Sequence, residues 1–282
     1  EPPEKYLASC DGDRALALEK WRRAKPWRAA HGLIGDGDGL GYMKTFDYTK
    51  LLFFKRHYPH YWHGRTRTGT PVFYEEGGRI TELLSQLDAH NRPRVQLLDE
   101  VYLVATFLER ELHPGPSPRG RMIRVMDLRG LSFTAFLPHA ISFYSEVTTT
   151  FEERFPDVFE RIIVINAPAF FTSTWAIIKP LLKETTADRT RIVGIDPEEI
   201  LATLTEVIDP GDIPGAYGGG CACVGGCGRC HPIELAQARR ALGFVAGEGT
   251  STPAGDVPVV TEFLAALLRD GSAATEDGKE TE

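Results

Sequence analysis

The sequence lacks the features that would place it across a membrane or on nucleic acid. Its longest apolar runs, such as residues 162–165, fall far short of the roughly 20 residues that a membrane-spanning helix requires. The first residues, EPPEK, have neither the basic start nor the apolar stretch of a signal peptide. The formal net charge of −7 disfavours binding to nucleic acid. We therefore expect a cytoplasmic protein that binds no nucleic acid.

Cysteine is also scarce, and its distribution excludes a disulfide framework. The chain of 282 residues has five cysteines, four of them between Cys221 and Cys230, which is unlike the spread of cysteines in small secreted folds. With 42% hydrophobic and 25% charged residues, the composition is that of an ordinary globular protein. The length allows one large α/β domain with a small accessory region.

The order of the predicted elements indicates a mixed α/β fold. Two helices are predicted in the first part of the chain, at 13–31 and 46–58, and a glycine-rich loop at 32–41 separates them. Strands predicted at 70–75, 121–128, 161–165 and 191–195 then alternate with helices at 94–112, 135–154, 171–182 and 197–207. Residues 161–165 are apolar without alternation, as in a strand with both faces buried. This order predicts a mostly parallel sheet with covering helices.

A series of motifs in one order along the chain carries a resemblance to a known family. They are YWHG and GTPV within residues 61–72, MDLRG at 126–130, FPD at 155–157, IVINAP at 163–168, Trp175, KPLL at 179–182, and IP and YGG within 213–219. The series strongly resembles the signature of CRAL-TRIO lipid-binding domains, in the branch of the phosphatidylinositol-transfer proteins. The resemblance covers residues 58–220 well and residues 13–31 weakly.

The resemblance implies a fold in which a mostly parallel sheet forms the floor of an apolar cavity. Covering helices and a mobile gate helix close the cavity, and a small helical region precedes it. The implied divisions are a helical N-terminal region at 1–45, the lipid-binding domain at 58–220, and a segment at 221–282. That last segment comprises a cysteine-rich loop, short helices and an acidic tail whose composition predicts disorder.

The predicted helix at 171–182 is the candidate gate. Its gate and cavity residues are Phe170, Phe171, Trp175, Ile178 and Leu182. The predicted helix is apolar over most of its circumference, so it is either buried or covers something apolar. The residues alone favour a buried core helix that bends at Pro180, because proline lacks an N–H and clashes with the preceding turn. The resemblance favours the gate.

Candidate head-group ligands also come from the resemblance. In members that bind phosphatidylinositol, an acidic residue follows the proline of the motif YPE, and a threonine and a lysine follow the motif KPFL. The corresponding residues here are Asp157, Thr186 and Arg189, so Asp157 could accept inositol hydroxyls and Arg189 could hold the phosphate. For each, a surface salt bridge is the alternative.

The positions linked to choline lipids depart from the family pattern. Met122 and Arg124 stand where small hydroxyl residues are expected, which puts phosphatidylcholine binding in doubt and makes Arg124 a further candidate phosphate ligand. A candidate membrane-facing basic patch comprises Arg119, Arg121, Arg124 and Arg129.

The cysteine cluster is a weak indication of a metal site. Residues 221–231 (CACVGGCGRCH) place five potential zinc ligands within eleven residues. The spacing is cramped, and some family members resemble it without a metal role. We therefore expect no metal. Zinc bound by Cys221, Cys223, Cys227 and Cys230 is the lesser alternative, and a redox-sensitive thiol cluster is another.

Together these observations predict a monomeric lipid-binding and lipid-transfer protein that encloses a phospholipid, phosphatidylinositol by preference. It would use no cofactor and would contact membranes transiently and peripherally. The alternative is a binder of one apolar ligand, such as a tocopherol, a retinoid or a sterol. We expect no enzyme, since the candidate pairs Cys223 with His231 and Asp127 with His139 lack a supporting motif.

Overall fold

A five-stranded sheet is the centre of the fold. The computed structural model describes residues 1–34, 57–89, 121–133, 149, 152–181, 184–221 and 227. The strands are β1 (His60–Arg65), β2 (Pro71–Glu75), β3 (Met122–Asp127), β4 (Phe159–Ile165) and β5 (Thr190–Ile192), and they lie in this order across the sheet. β1 is antiparallel to β2, and every other neighbouring pair is parallel. The predicted mixed α/β fold with a mostly parallel sheet is confirmed.

Six α-helices lie in the described residues: α1 (Glu4–Ala8), α2 (Arg14–Ala30), α3 (Ile80–Ala89), α4 (Phe171–Ile178), α5 (Glu184–Asp188) and α6 (Pro197–Thr205). Asp13 caps α2 by accepting hydrogen bonds from the backbone N–H groups of Ala15 and Leu16. Asp196 caps α6, which has proline in its first turn. Within the described part of the chain, no helix is both long enough and apolar enough to span a bilayer.

The sheet buries different side chains on its two faces, because successive residues of a strand point in opposite directions. What we call the first face carries Tyr61, Val72, Tyr74, Ile123, Val125, Ile163, Ile165 and Val193. The chain from α6 onward packs against it through Ile200, Leu204, Ile208, Ile213 and Tyr217. The first face is therefore closed by the protein's own core.

The opposite face, which we call the second face, is also mostly apolar. It carries His60, Trp62, Phe73, Glu75, Met122, Arg124, Met126, Ile162 and Val164. The register places Phe73 beside Arg124 and Glu75 beside Met126. Since α6 closes the first face, a cavity that has the sheet as its floor can lie only over the second face.

The N-terminal helices pack on the segment that leads into β4. Tyr6 and Trp21 form an edge-to-face pair between α1 and α2, with ring centroids 5.1 Å apart. The Tyr6 hydroxyl donates a hydrogen bond to the carbonyl of Glu153 at 3.0 Å, and Trp27 packs edge-on against Phe155 at 5.6 Å. The described part of the N-terminal region thus contacts the sheet-containing domain directly.

Some predicted elements differ from the observed ones. The strand predicted at 191–195 is β5, which ends at Ile192, before Gly194. The helix predicted at 171–182 changes after Ile178 to a 3₁₀ turn at Lys179–Leu181, because Pro180 interrupts the α-helical hydrogen bonds. The sequence analysis did not predict α1, β1 or α3.

Several predictions lie outside the described residues. They are nearly all of the helix predicted at 46–58, the whole helix at 94–112, most of the helix at 135–154, and the acidic tail.

Candidate functional site

Asp157 lies between two arginines at one edge of the sheet. Arg121 precedes β3, Asp157 precedes β4 and Arg189 precedes β5, and parallel strands begin at the same edge. Arg121 donates to Oδ2 of Asp157 through Nε at 2.9 Å and Nη2 at 2.6 Å. Arg189 donates from Nη1 to Oδ1 at 3.0 Å. The structure thus brings together two of the predicted head-group residues and adds Arg121 to them.

Arg189 is the most exposed member of this cluster. The cluster of Arg121, Asp157 and Arg189 has two guanidinium groups and one carboxylate. The Asp157 side chain is 8% exposed, while that of Arg189 is 33% exposed. Among the described residues, both hydrogen bonds of Arg189 use Nη1, toward Asp157 and the carbonyl of Phe159. Its Nη2 and Nε remain as donors for an anion at the surface.

Thr186 lies near this cluster on α5, three residues before Arg189. Its hydroxyl donates a hydrogen bond to Oε1 of Glu152 at 3.2 Å. Its carbonyl accepts a hydrogen bond from the Thr190 hydroxyl at 2.8 Å, which ties the end of α5 to the start of β5. Thr186 is half-buried.

Arg124, the fourth predicted head-group residue, is paired with Glu75 on the second face. Arg124 Nε donates to Glu75 Oε1 at 2.7 Å, and Nη2 also contacts that oxygen. The guanidinium carbon lies 5.4 Å from the ring centroid of Phe159. The two side chains are 14% and 2% exposed. Glu75 therefore neutralises the charge of Arg124 within the sheet. Sequence reasoning missed this pair because the two residues are 49 positions apart.

The surroundings of the Glu75 carboxyl shift its pKa. Burial raises the pKa of Glu75 above its usual value, and the charge and hydrogen bonds of Arg124, with a hydrogen bond from Tyr58, oppose this rise. The net direction is upward, because removing a carboxylate from water costs more than this one arginine returns.

The candidate gate helix presents apolar side chains both inward and outward. Phe171, at the start of α4, is buried, and Trp175 is partly buried. Ile177 is 52% exposed. Phe170 packs edge-on against Phe133, which is 51% exposed, at 5.3 Å between ring centroids. The side chain of Ile178 and the whole of Leu182 lie outside the described residues.

The motifs MDLRG and INAP meet where β3 and β4 end. Oδ1 of Asp127 accepts hydrogen bonds from the backbone N–H of Arg129 and from Nδ2 of Asn166, each at 2.8 Å. Asn166 has a left-handed backbone with φ of 54°, which asparagine tolerates better than most residues. Buried Asp127 thus organises two turns, and its suggested catalytic partner His139 lies outside the described residues.

The predicted basic patch is not one surface. Arg121 and Arg129 lie at opposite ends of β3, whose six residues span roughly 20 Å. Arg124 lies between them within the sheet, and Arg119 lies outside the described residues. The three described arginines therefore do not form one basic patch, because the two ends of a strand belong to different edges of the sheet.

Of the four cysteines considered as zinc ligands, the structure describes two. The sulfur atoms of Cys221 and Cys227 lie 3.3 Å apart. Cys223 and Cys230, with His231, lie outside the described residues. Sequence reasoning missed His63, whose Nε2 lies 3.6 Å from the sulfur of Cys227.

Comparison with known proteins decides the family. The model of the CRAL/TRIO domain matches residues 55–219, which is more than half of the chain. This chain belongs to the CRAL/TRIO domain family. The predicted recognition is therefore confirmed, and the matched range includes the sheet, the cluster around Asp157 and the candidate gate helix. A crystal structure titled Sfh5 has the same fold, with a TM-score of 0.52 and 14% identity over 71% of this chain and 66% of that one.

Two curated relatives are similar over most of this chain, and the name of one of them describes lipid transfer. The Sec14 cytosolic factor of Schizosaccharomyces pombe is 29% identical over 218 residues, covering 75% of this chain and 71% of that protein. The phosphatidylinositol/phosphatidylcholine transfer protein SFH9 of Arabidopsis thaliana is 24% identical over 234 residues, covering 80% of this chain and 38% of that protein. The chain thus spans well under half the length of this plant relative.

Proposed function

We propose that this CRAL/TRIO protein binds a phospholipid over the second face of its sheet and transfers it between membranes, with phosphatidylinositol as the preferred cargo. Family membership and the names of the relatives support lipid transfer. The observation that supports an anionic head group is Arg189, which is 33% exposed beside Asp157 and, among the described residues, uses only Nη1 in its hydrogen bonds.

The chemistry of the cluster fits a phosphate with neighbouring hydroxyls. The donors Nη2 and Nε of Arg189 match the spacing of two phosphate oxygens, and such charge-assisted hydrogen bonds are stronger than neutral ones. The Asp157 carboxylate offers about four acceptor positions, and the two arginines fill three of them. The position that remains, on Oδ1, can accept a hydrogen bond from an inositol hydroxyl. Asp157 also holds both guanidinium groups in place.

The acyl chains require an enclosed apolar space. A phospholipid with about 30 methylene groups gains on the order of 20 kcal/mol gross when they leave water. The sheet supplies an apolar floor on its second face, and α4 supplies a short helix that ends where Pro180 interrupts it. We propose that α4 moves to admit and release the lipid at a membrane surface. There the bilayer covers the apolar surface that becomes exposed when the cavity opens.

Phosphatidylcholine is the less favoured cargo in this proposal. Met122 fills space that a small hydroxyl residue would leave open, so steric bulk is the main argument. Repulsion of the choline cation by Arg124 is a weaker argument than the sequence suggested, because Glu75 neutralises that charge. For the same reason we no longer propose Arg124 as a direct phosphate ligand.

Replacement of Arg189 tests the head-group assignment. In Arg189→Ala we expect affinity for phosphatidylinositol to fall about tenfold to a hundredfold, because one charge-assisted contact with phosphate contributes roughly 1.5–3 kcal/mol. The matched control is Arg191→Ala, since Arg191 lies two residues further along and pairs instead with the exposed Glu206. Binding and transfer are measured with vesicles that contain labelled phosphatidylinositol or phosphatidylcholine.

The two variants also separate the competing ligands. Equal phosphatidylinositol transfer by Arg189→Ala and Arg191→Ala would contradict the head-group assignment. If the unmodified chain binds a tocopherol, a retinoid or a sterol but transfers no phospholipid, this result would contradict the proposed function itself.

A further inference from the structure

Close backbone contacts bring the end of β1 next to residues 212–221, which follow α6. Gly64 has φ of +66°, and a Cβ added there would lie 2.9 Å from the carbonyl oxygen of Asp212. At Gly219, an added Cβ would lie 2.1 Å from the carbonyl oxygen of Ile213, so only glycine fits. The N–H of Cys221 then donates to that same carbonyl at 3.2 Å. These contacts place Cys221 beside β1.

Three side chains with metal-binding atoms meet at this point. Nε2 of His63 lies 3.6 Å from Sγ of Cys227, which lies 3.3 Å from Sγ of Cys221. All three ligand atoms lie within 4.8 Å of one another. The two sulfurs are further apart than the 2.05 Å or so of a disulfide bond, so no disulfide joins these two residues.

The site is enclosed by the core of the first face. His63 is 7% exposed, and both cysteines are partly buried. The rings of His63 and Tyr74 have centroids 6.3 Å apart, and Tyr74 stacks on Tyr61 and Tyr217. Such a surrounding limits the access of solvent to a bound ion.

Two of the three distances between ligand atoms can be compared with a tetrahedral zinc site. With bonds of about 2.3 Å to sulfur and about 2.05 Å to nitrogen, tetrahedral angles place two sulfurs about 3.8 Å apart and a sulfur about 3.5 Å from a nitrogen. The observed sulfur–nitrogen distance of 3.6 Å matches, and the sulfur–sulfur distance of 3.3 Å requires an outward shift of about 0.5 Å.

We propose that His63, Cys221 and Cys227 are three ligands of a Zn²⁺ ion, with a water or a further thiolate in the fourth position. Binding releases the two thiol protons to solvent and leaves neutral imidazole as the nitrogen donor. The ion connects β1 to the chain that follows the lipid-binding domain, on the side of the sheet opposite to the proposed lipid. This proposal therefore does not depend on the proposed function.

Zinc content of the full chain, freed of any affinity tag, tests the proposal. We expect one zinc ion per chain to remain after dialysis against a weak chelator. In Cys227→Ser and in His63→Ala, zinc content should fall to less than about one tenth of that value, since each removes one of three protein ligands. Cys10→Ser is the matched control, because Cys10 is a buried thiol in the N-terminal helices, and it should keep the full content.

X-ray absorption at the zinc edge of the unmodified chain tests the ligand set without any variant. We expect at least two sulfurs and at least one imidazole nitrogen around the ion. A sulfur-only shell, an unchanged zinc content in His63→Ala, a chain that takes up no zinc, or a Cys221–Cys227 disulfide in freshly prepared protein would each overturn the proposal.

Discussion

Asp157 and Glu75 are both carboxylates paired with arginine, but the exposure of their arginines differs. Asp157 pairs with Arg189, whose side chain is 33% exposed, whereas Glu75 pairs with Arg124, whose side chain is 14% exposed within the sheet. A guanidinium group that reaches the surface can donate hydrogen bonds to an anion there. Of these two groups, the cluster of Arg121, Asp157 and Arg189 is therefore the one suited to a lipid phosphate.

The pair of Glu75 and Arg124 has a testable role in stability. Replacing Arg124 by methionine leaves the 2% exposed carboxylate without its cation, which typically costs about 3–5 kcal/mol. In the double variant Arg124→Met/Glu75→Gln, most of this loss should be recovered, because no buried charge remains. Urea unfolding of both variants measures the difference, and equal stabilities would contradict this role.

The same single variant should respond to pH in a defined direction. Burial already raises the pKa of Glu75, and loss of Arg124 raises it further. A carboxyl whose pKa is higher in the folded state binds protons preferentially there, so stability falls as pH rises through that range. Relative to the double variant, Arg124→Met should therefore be less destabilised at about pH 5 than at about pH 8. A stability difference between the two variants that does not change with pH would contradict the raised pKa of Glu75.

At the scale of elements, α4 combines a buried aromatic start with an exposed apolar surface. Phe171 is buried, but Ile177 is 52% exposed. The sequence indicated a helix that is apolar around most of its circumference, and such a helix is either buried or covers something apolar. The exposure of Ile177 shows that α4 is not buried all round, which agrees with the proposed contact of α4 with a membrane.

Replacing Ile177 by glutamate tests this contact. We expect phospholipid transfer to slow by about tenfold, because entry of this side chain into a bilayer contributes roughly 1.5–3 kcal/mol that glutamate cannot supply. The lipid already bound should be unaffected. Leu16→Glu is the control, because Leu16 is 42% exposed on α2. Equal slowing in both variants, in a vesicle transfer assay, would argue against a specific role of α4.

How well the sequence predicted each element depended on how local its signal was. Apolar residues at 161–165 predicted β4, and Asp13 marked the start of α2. α3 had a readable pattern, since Ile80, Leu83, Leu84 and Leu87 recur at helical spacing and are all buried. β1 carried no clear alternation, and its register with β2 is interrupted between Trp62 and Arg65.

The candidate site was predictable only where a family motif marked it. Asp157 and Arg189 were identified from their positions relative to motifs, and the fold brings them together. Arg121 as their partner, the Glu75–Arg124 pair and His63 beside Cys227 all depend on which strands and segments become neighbours. Such contacts join residues 36–164 positions apart along the chain, and local sequence patterns hold no information about them.

At the scale of the whole molecule, the two faces of the sheet have separate roles. The first face is closed by α6 and the chain that follows it, and it carries the proposed zinc site at its margin. The second face is the proposed floor for a lipid, with the cluster of Arg121, Asp157 and Arg189 at the edge where β3, β4 and β5 begin. The N-terminal helices contact the segment that leads to Asp157, through Tyr6 and Trp27, and so support that edge.

The lipid content of the purified chain tests the central claim most directly. The full protein is isolated from cells without detergent and analysed by native mass spectrometry, and its extracted lipids are then identified. The account predicts one phospholipid per chain, with phosphatidylinositol taken in preference from mixed vesicles that contain an excess of phosphatidylcholine. A chain that stays empty after incubation with such vesicles, or that carries only a neutral apolar ligand, would contradict it.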